Sequence, residues 1–187
     1  MVKVVVVNGR PGVGKSEFER LCLEKCNVFN RTSGFRPGTD LWVDITSTVD
    51  FVKDIAFDCG WDGTKTPENR KFLSDLKALL TNWGDVPFNV IVQHAKSLPG
   101  TGDWLMFVDC REPAEIQRFK DVMNATTVLI RREGDEDFKY SNISDASVFD
   151  YDYDLTIHNN SDIIDLEKKA VNFIEYMRGA PHYEYDD

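Results

Sequence analysis

The sequence predicts an α/β fold, in which a mostly parallel sheet of about five strands carries helices on both faces in a three-layer domain. Short apolar stretches alternate with helical patterns along the chain, as in folds built from strand–helix–strand units. The first stretch, Val4–Val7, is β-branched and wholly apolar, which is typical of a parallel strand buried on both sides. No repeat, low-complexity tract or linker divides the 187 residues, so a single domain over 1–187 is predicted.

The first half of the chain contains the first strand and three predicted helices. A helix is predicted after Lys15, since apolar residues recur there at helical spacing. Residues 27–46 are rich in loop-forming residues and are predicted to be mostly loop. A second helix is predicted over 50–59, with Asp50 as its N-cap, and a third over 67–82, because a proline suits its first turn.

The second half alternates strands and helices. Short apolar runs bounded by polar residues predict strands, and longer stretches with a period near 3.6 residues predict helices. The predicted elements are, in order, strands Val90–Gln93 and Leu105–Val108, helix Pro113–Met123, strands Thr126–Ile130 and Leu155–His158, and a last helix from about Asp162 to Met177.

Composition and charge restrict the class of function. The formal net charge is −10, which repels a nucleic-acid backbone but leaves a small phosphorylated ligand allowed. The longest purely apolar run is far too short for a membrane span, and no signal-peptide pattern is evident. The four cysteines form no CxxC pair, and the spacing of Cys22 and Cys26 favours packing on a helix. A reduced, cytoplasmic protein is therefore expected.

A phosphate-binding motif follows the first strand. Residues 9–16, GRPGVGKS, fit the pattern G-x-x-x-x-G-K-[ST] without a gap, between a predicted strand and a predicted helix. Such a loop turns backbone N–H groups towards phosphate oxygens, while its lysine reaches the β- and γ-phosphates and its hydroxyl binds Mg²⁺. The predicted nucleotide-binding residues are Gly9, Arg10, Gly12, Val13, Gly14, Lys15, Ser16 and Glu17, with Ser16 holding Mg²⁺ and Lys15 also catalytic.

Further segments narrow the class of protein. No NKxD guanine reader is present, and the chain is short for a motor ATPase, which leaves kinases of small molecules. The stretch STVDFVKDIAFDCGWDGTKTPENRKFLSDL, then FVDCREPAEIQRFK, then YDLTIHNNSDIIDLEKKAVNFI resemble, in the same order, segments of phage-type deoxynucleoside monophosphate kinases. The resemblance places the chain in the P-loop nucleoside monophosphate kinase superfamily and implies that superfamily's three-layer kinase fold.

The resemblance implies an ATP-dependent phosphotransferase that moves the γ-phosphate to a nucleoside or deoxynucleoside 5′-monophosphate. Its expected cofactors are ATP and Mg²⁺, and its partners are small-molecule nucleotides, with a homodimer left open. Two alternatives stay open: a kinase of another phosphorylated metabolite or of a nucleoside, and a nucleotide-binding regulator that is not a kinase.

Four residues in the second half are candidate catalytic groups. Asp109 follows an apolar strand, where its carboxylate could hold the Mg²⁺ shell, orient an acceptor hydroxyl or cap the next helix. Arg111 could grip a phosphate or pair with Glu115. Arg131 and Arg132 follow another strand, and in nucleotide kinases such arginines often lie near the adenine or the transferred phosphoryl group.

An acceptor-binding region is expected over about 30–85. By the resemblance, Arg70 and, less firmly, Lys65 lie near the acceptor phosphate, although both could be plain surface cations. Trp61 could stack on a base or serve a turn. The other predicted substrate-binding residues are Asp50, Lys53, Asp62 and Arg111.

A lid is expected over about 131–150, where an acidic loop could exclude water from the reaction. The chain departs from the family there: Asn142-Ile143-Ser144-Asp145 stands where relatives carry H-x-S-E. It also lacks the proline after Asp50, and 27–46 has no clear counterpart. These departures mark the places where acceptor specificity could differ.

Overall fold

The computed structural model describes residues 1–32, 40–135 and 147–179. The chain forms two compact units, which are described separately. The sheet unit consists of Met1–Ile45 and Pro99–Asp187, and the helical unit consists of Thr46–Leu98.

A five-stranded parallel sheet organises the sheet unit and confirms the predicted α/β class. Its strands lie in the order β2-β3-β1-β4-β5, so that β1 is central. The β1–β3, β1–β4 and β4–β5 pairs are all parallel. The strands are β1 (Val2–Asn8), β2 (Leu41–Ser47), β3 (Asp103–Asp109), β4 (Thr126–Arg131) and β5 (Leu155–His158).

Helices cover both faces of this sheet. Alternate residues of a strand point to opposite faces, and Val5 and Val7 join a buried cluster with apolar residues of α1 (Lys15–Thr32) and α6 (Ile163–Met177). α5 (Pro113–Met123) contacts β1 and β4 and buries its own apolar residues. The predicted helices after Lys15, over 113–123 and near the C-terminal end are thereby confirmed.

The buried side of α1 consists of tightly packed apolar side chains. Phe18 is fully buried and meets the rings of Phe107 and Phe173 edge to face, with centroids 6.4 and 5.4 Å away. Cys22 and Cys26 belong to the same cluster. The two cysteines therefore serve packing, as their spacing predicts.

The helical unit contains α2 (Asp50–Asp58), α3 (Pro67–Gly84) and α4 (Val86–Ser97). The predicted strand Val90–Gln93 is wrong, because these residues lie within α4. A proline near the helix start and buried residues at helical spacing (Phe88, Ile91 and Ala95) give that segment one apolar face.

Two further predictions about boundaries need correction. Asp50 is the first residue of α2 rather than its N-cap; the N-cap position is Val49, and the Asp50 carboxylate accepts from Lys53 instead. Residues 27–46 contain regular structure at both ends, since α1 continues to Thr32 and β2 begins at Leu41. None of the helices that the structure describes is long and apolar enough to cross a membrane.

Candidate functional site

The loop 9–16 joins β1 to α1 at the carboxyl edge of the sheet. β1 lies between β3 and β4, and the chain runs first to the β2–β3 side and later to the β4–β5 side. In open α/β sheets, the crevice beside such a reversal of strand order is where ligands bind. The motif found in the sequence therefore lies at the position in the sheet that favours a ligand site.

The glycines of the loop are required by its backbone path. Gly9 and Gly14 have φ of +149° and +102°, values that other residues rarely adopt. A Cβ on Gly9 would lie 2.4 Å from the carbonyl oxygen of Ile130, and a Cβ on Gly14 would lie 2.4 Å from Nδ2 of Asn159. A side chain at either position would therefore push the loop away from its neighbours.

Lys15 lies across the loop that precedes it. Its Nζ donates to the carbonyl oxygens of Gly9, at 2.6 Å, and Arg10, at 3.1 Å. Phe18 N donates to Gly14 O at 2.9 Å at the start of α1, so the N–H groups of residues 15–17 belong to the first turn. An ammonium group and a helix N-terminus thus lie at one end of the loop, and both favour an anion.

Two asparagines from outside the motif fix the loop. Asn8 Oδ1 accepts from Gly9 N at 2.8 Å, and Asn8 Nδ2 donates to the Tyr153 hydroxyl at 2.6 Å, which in turn donates to Val148 O. The buried Asn159, after β5, donates from Nδ2 to the Val13 carbonyl oxygen at 2.8 Å. The sequence analysis missed Tyr153 and Asn159, since only the fold brings them to the loop.

Arg10 and Arg131 pack on one aromatic ring. Each guanidinium carbon lies 4.5 Å from the ring centre of Phe149, within the range of a cation–π interaction. Arg131 Nη2 donates to Asp135 Oδ1 at 2.9 Å, and Arg10 Nη1 donates to the Asp135 carbonyl oxygen. Arg10 is buried, so its charge is held in a fixed place next to the loop.

A buried carboxyl group, which the sequence analysis also missed, lies one turn after Lys15. Glu19 is 1% exposed and its Oε1 has no hydrogen-bond partner. Burial raises the pKa of Glu19 to about 8; the negative charge of Asp109 acts in the same direction, and the positive charge of Lys15 opposes it. The three groups are thus electrostatically coupled beside the loop.

Asp109 and Arg111, both predicted site residues, lie where β3 ends. Asp109 is the partner of Val7 in the β1–β3 register, one residue before Asn8. It does not occupy the N-cap of α5, a position taken by Glu112. The Arg111 carbonyl oxygen accepts from Asn8 Nδ2 at 3.3 Å, so the segment after β3 is tied to the start of the loop.

Other predicted nucleotide-binding residues differ in their surroundings. Val13 is buried in the apolar cluster, and Gly12 and Ser16 are exposed. Glu17 is half-exposed, and a hydrogen bond from Arg20 lowers its pKa. The side chains of Val13 and Glu17 thus have partners of their own, and the Val13 carbonyl oxygen is bound by Asn159, so a nucleotide would contact these two residues through their backbone N–H groups.

In the helical unit, the turn GWDGTK at residues 60–65 is held together by local contacts. Trp61 stacks against Phe57, with ring centroids 4.7 Å apart, and its Nε1 donates to Thr64 O. Asp62 Oδ1 accepts from Thr64 N at 2.9 Å and Thr64 Oγ1 at 2.6 Å, and these bonds lower the pKa of Asp62. Trp61 and Asp62 therefore shape the turn.

The predicted acceptor-binding cations lie on the surface of the helical unit. Lys65 and Arg70 are exposed, and Arg70 Nε donates to the Lys65 carbonyl oxygen at 3.3 Å. Lys53 pairs with Asp50 at 2.8 Å on α2. Lys65 and Arg70 thus have the exposure that an acceptor phosphate would need.

Two further findings concern residues that follow β3 and β4 at the carboxyl edge of the sheet. Arg132 is exposed, and residues 142–145 of the expected lid lie outside the described part of the chain. Beyond β3, Cys110 Sγ donates to Glu115 Oε2 at 3.2 Å, and possible ligand atoms of Cys110, Glu112 and Glu115 lie within 4.8 Å of one another. The sequence analysis did not predict this cluster.

No family profile matches the chain, and no curated protein matches it.

Proposed function

We propose that the protein is an ATP-dependent phosphotransferase that moves the γ-phosphate of ATP to a nucleoside or deoxynucleoside 5′-monophosphate. The observation that carries this proposal is the loop 9–16, a complete G-x-x-x-x-G-K-S motif at the carboxyl end of the central strand β1. The proposal is supported by the positive φ of Gly9, Gly12 and Gly14 and by the start of α1 at the lysine of the motif.

The residues of the loop have distinct roles in this reaction. Backbone N–H groups of the cradle hold the phosphate chain, and the Lys15 ammonium exchanges its bonds with the Gly9 and Arg10 carbonyl oxygens for bonds to phosphate oxygens. Arg10 adds a fixed positive charge beside the loop. Positioning and charge neutralisation supply most of the rate in such a transfer, so little covalent chemistry is required of the protein.

The donor groups near the loop fit a magnesium ion. Mg²⁺ prefers oxygen ligands, and the Ser16 hydroxyl and the Asp109 carboxylate are the residues proposed to hold it. When bound, the ion would neutralise the negative charge that develops on the phosphate oxygens during transfer.

For the acceptor, the proposal assigns its phosphate to Arg70 and Lys65, supported by their exposure and by the resemblance of the surrounding segment to phage-type kinases. Arg111, Arg131 and Arg132 are proposed to steady the transferred group. The net charge of −10 argues against a nucleic-acid acceptor, since an acidic surface repels a phosphate backbone.

The first test is ADP release from Mg·ATP with each common ribo- and deoxyribonucleoside monophosphate, one at a time. We expect one or a few acceptors to raise the rate far above the rate without acceptor. If none does while ATP still binds, the acceptor is another metabolite or the protein is a nucleotide-binding regulator, and the proposed nucleoside monophosphate kinase activity is wrong.

The second test is Lys15→Ala, which should remove nearly all turnover without unfolding the protein. Lys168→Ala is the matched control, because Lys168 is an exposed lysine on α6. Circular dichroism checks that both variants are folded. A Lys15→Ala variant that keeps most of its activity would show that the loop does not bind the donor as proposed.

A further inference from the structure

Glu19 is a buried acidic side chain with no role in the phosphate-binding motif. It lies one helical turn after Lys15, so the two residues share a face of α1. It is 1% exposed, although a glutamate on a helix ordinarily reaches water. Placing a carboxyl group there costs free energy that an apolar residue would not cost.

The surroundings of Glu19 do not supply the contacts expected of a structural glutamate. Buried polar atoms in folded proteins nearly always have hydrogen-bond partners, yet Glu19 Oε1 has none. The charges of another carboxyl group, Asp109, and of the Lys15 ammonium both act on Glu19. Asp109 lies at the carboxyl end of β3, so a second acidic group lies on the same side of the sheet as the loop.

A divalent cation explains this arrangement. Mg²⁺ is usually held in nucleotide sites by one or two carboxylates together with phosphate oxygens and several waters. A buried acceptor oxygen next to a second carboxylate suits the water shell of such an ion, and groups that orient that shell matter for affinity.

We propose that Glu19 acts with Asp109 to hold the divalent cation that accompanies the nucleotide, with Glu19 Oε1 accepting from the coordinated water. This inference rests on the proposed function, because the cation reaches the site with the triphosphate. Glu19 is then a cation-site residue that the motif itself does not contain.

The test measures nucleotide binding rather than turnover. Calorimetry gives the affinity for a non-hydrolysable ATP analogue in Mg²⁺ and in EDTA. The affinity in Mg²⁺ divided by the affinity in EDTA reports the contribution of the cation. Glu19→Gln keeps one acceptor oxygen but loses the negative charge, so it should reduce this ratio by about 10-fold, the lower end of the effect expected when a group that orients a metal's ligands is changed. The affinity in EDTA should stay equal or rise, because a negative charge near the phosphates is gone.

The matched control is Glu24→Gln, an exposed glutamate on the same helix that pairs with Arg20. It should keep the wild-type ratio. Glu19→Met, whose flexible side chain fills a similar space, replaces Glu19→Gln if glutamine at this buried position disturbs folding.

The outcomes separate this inference from the proposed function. A Glu19 variant with the wild-type ratio overturns the inference and leaves the kinase proposal intact. A wild-type protein that binds the analogue in neither Mg²⁺ nor EDTA overturns both. A ratio that falls only in the Glu19 variant supports the cation role.

Discussion

Replacing Glu19 by glutamine should stabilise the metal-free protein, and the gain should depend on pH. Burial is the main reason that the pKa of Glu19 rises from 4.5 to about 8, with the charge of Asp109 adding to it. Glutamine has nearly the same shape and no charge to bury. The variant should therefore avoid the cost of ionising this group inside the protein.

The sign and size of the effect follow from proton linkage. Below about pH 4.5, Glu19 is protonated in both the folded and the unfolded chain, and it costs nothing. Between 4.5 and about 8, the unfolded chain releases the proton and the folded chain keeps it, so stability falls as pH rises. Each pH unit is worth about 1.4 kcal/mol, so the full cost above pH 8 is of the order of several kcal/mol.

Urea unfolding from pH 5 to 9 in EDTA tests this directly. The stability of Glu19→Gln minus that of the wild type should grow with pH and level off above about pH 8. Glu24→Gln should show a small, nearly constant difference, since an exposed ion pair contributes about 0 to 1 kcal/mol. A Glu19→Gln variant that is less stable than the wild type at pH 9 would refute the reasoning, because the ionised carboxylate would then be stabilising.

Three further variants test the packing around the loop. Gly14→Ala should weaken nucleotide binding, measured by calorimetry, because its Cβ would lie 2.4 Å from Asn159 Nδ2; unchanged affinity would contradict the close contact. Phe18→Ala should lower the free energy of unfolding by about 3 to 5 kcal/mol, as loss of a fully buried ring does; a change below 1 kcal/mol would contradict its place in the core. Tyr153→Phe should cost about 1 to 3 kcal/mol by urea unfolding, since Asn8 Nδ2 loses an acceptor, whereas no change would show that the bond contributes little.

Most of the sheet unit could be predicted because its elements are long or strongly patterned. The valine run of β1 predicts a strand, and the helical spacing of apolar residues in α6 predicts a helix, without information from the rest of the chain. The residues Val90–Gln93 do not indicate their structure in this way, because three apolar residues followed by a glutamine fit a strand as well as one turn of a helix. Only their neighbours decide, since a proline at the start and the buried side chains of Phe88 and Ala95 extend the helical period on both sides.

The strand β2 was not predicted from the sequence, for a related reason. Leu41–Ser47 contains the residue types of a strand, but it follows a stretch rich in glycine, proline and threonine, which dominates the local composition. Its place at the edge of the sheet depends on pairing with β3, and that pairing is a contact between segments about 60 residues apart.

The candidate site likewise contains residues that a local sequence pattern identifies and residues that only the fold brings together. The motif 9–16 is a local pattern, so the sequence alone identifies it. The sequence alone does not identify Asn159, Tyr153 and Glu19. Asn159 and Tyr153 are separated along the chain by about 145 residues from the groups that they contact at the loop. Glu19 is missed because a glutamate on a helix ordinarily indicates a face in contact with water, whereas this one is buried. Their roles come from tertiary packing, which one sequence does not display.

The charges near the loop argue for a cation in the working site. The protein carries a net charge of −10, and a triphosphate adds several negative charges, so binding depends on local positive groups. Arg10 and Lys15 supply two of these, but Glu19 is buried beside them and would repel a phosphate if it were ionised. A carboxylate in that position helps an anion bind only when a proton or a metal ion lies between them. The magnesium that the proposed reaction requires would be such an ion, and the proposed cation site would then account for the burial of Glu19.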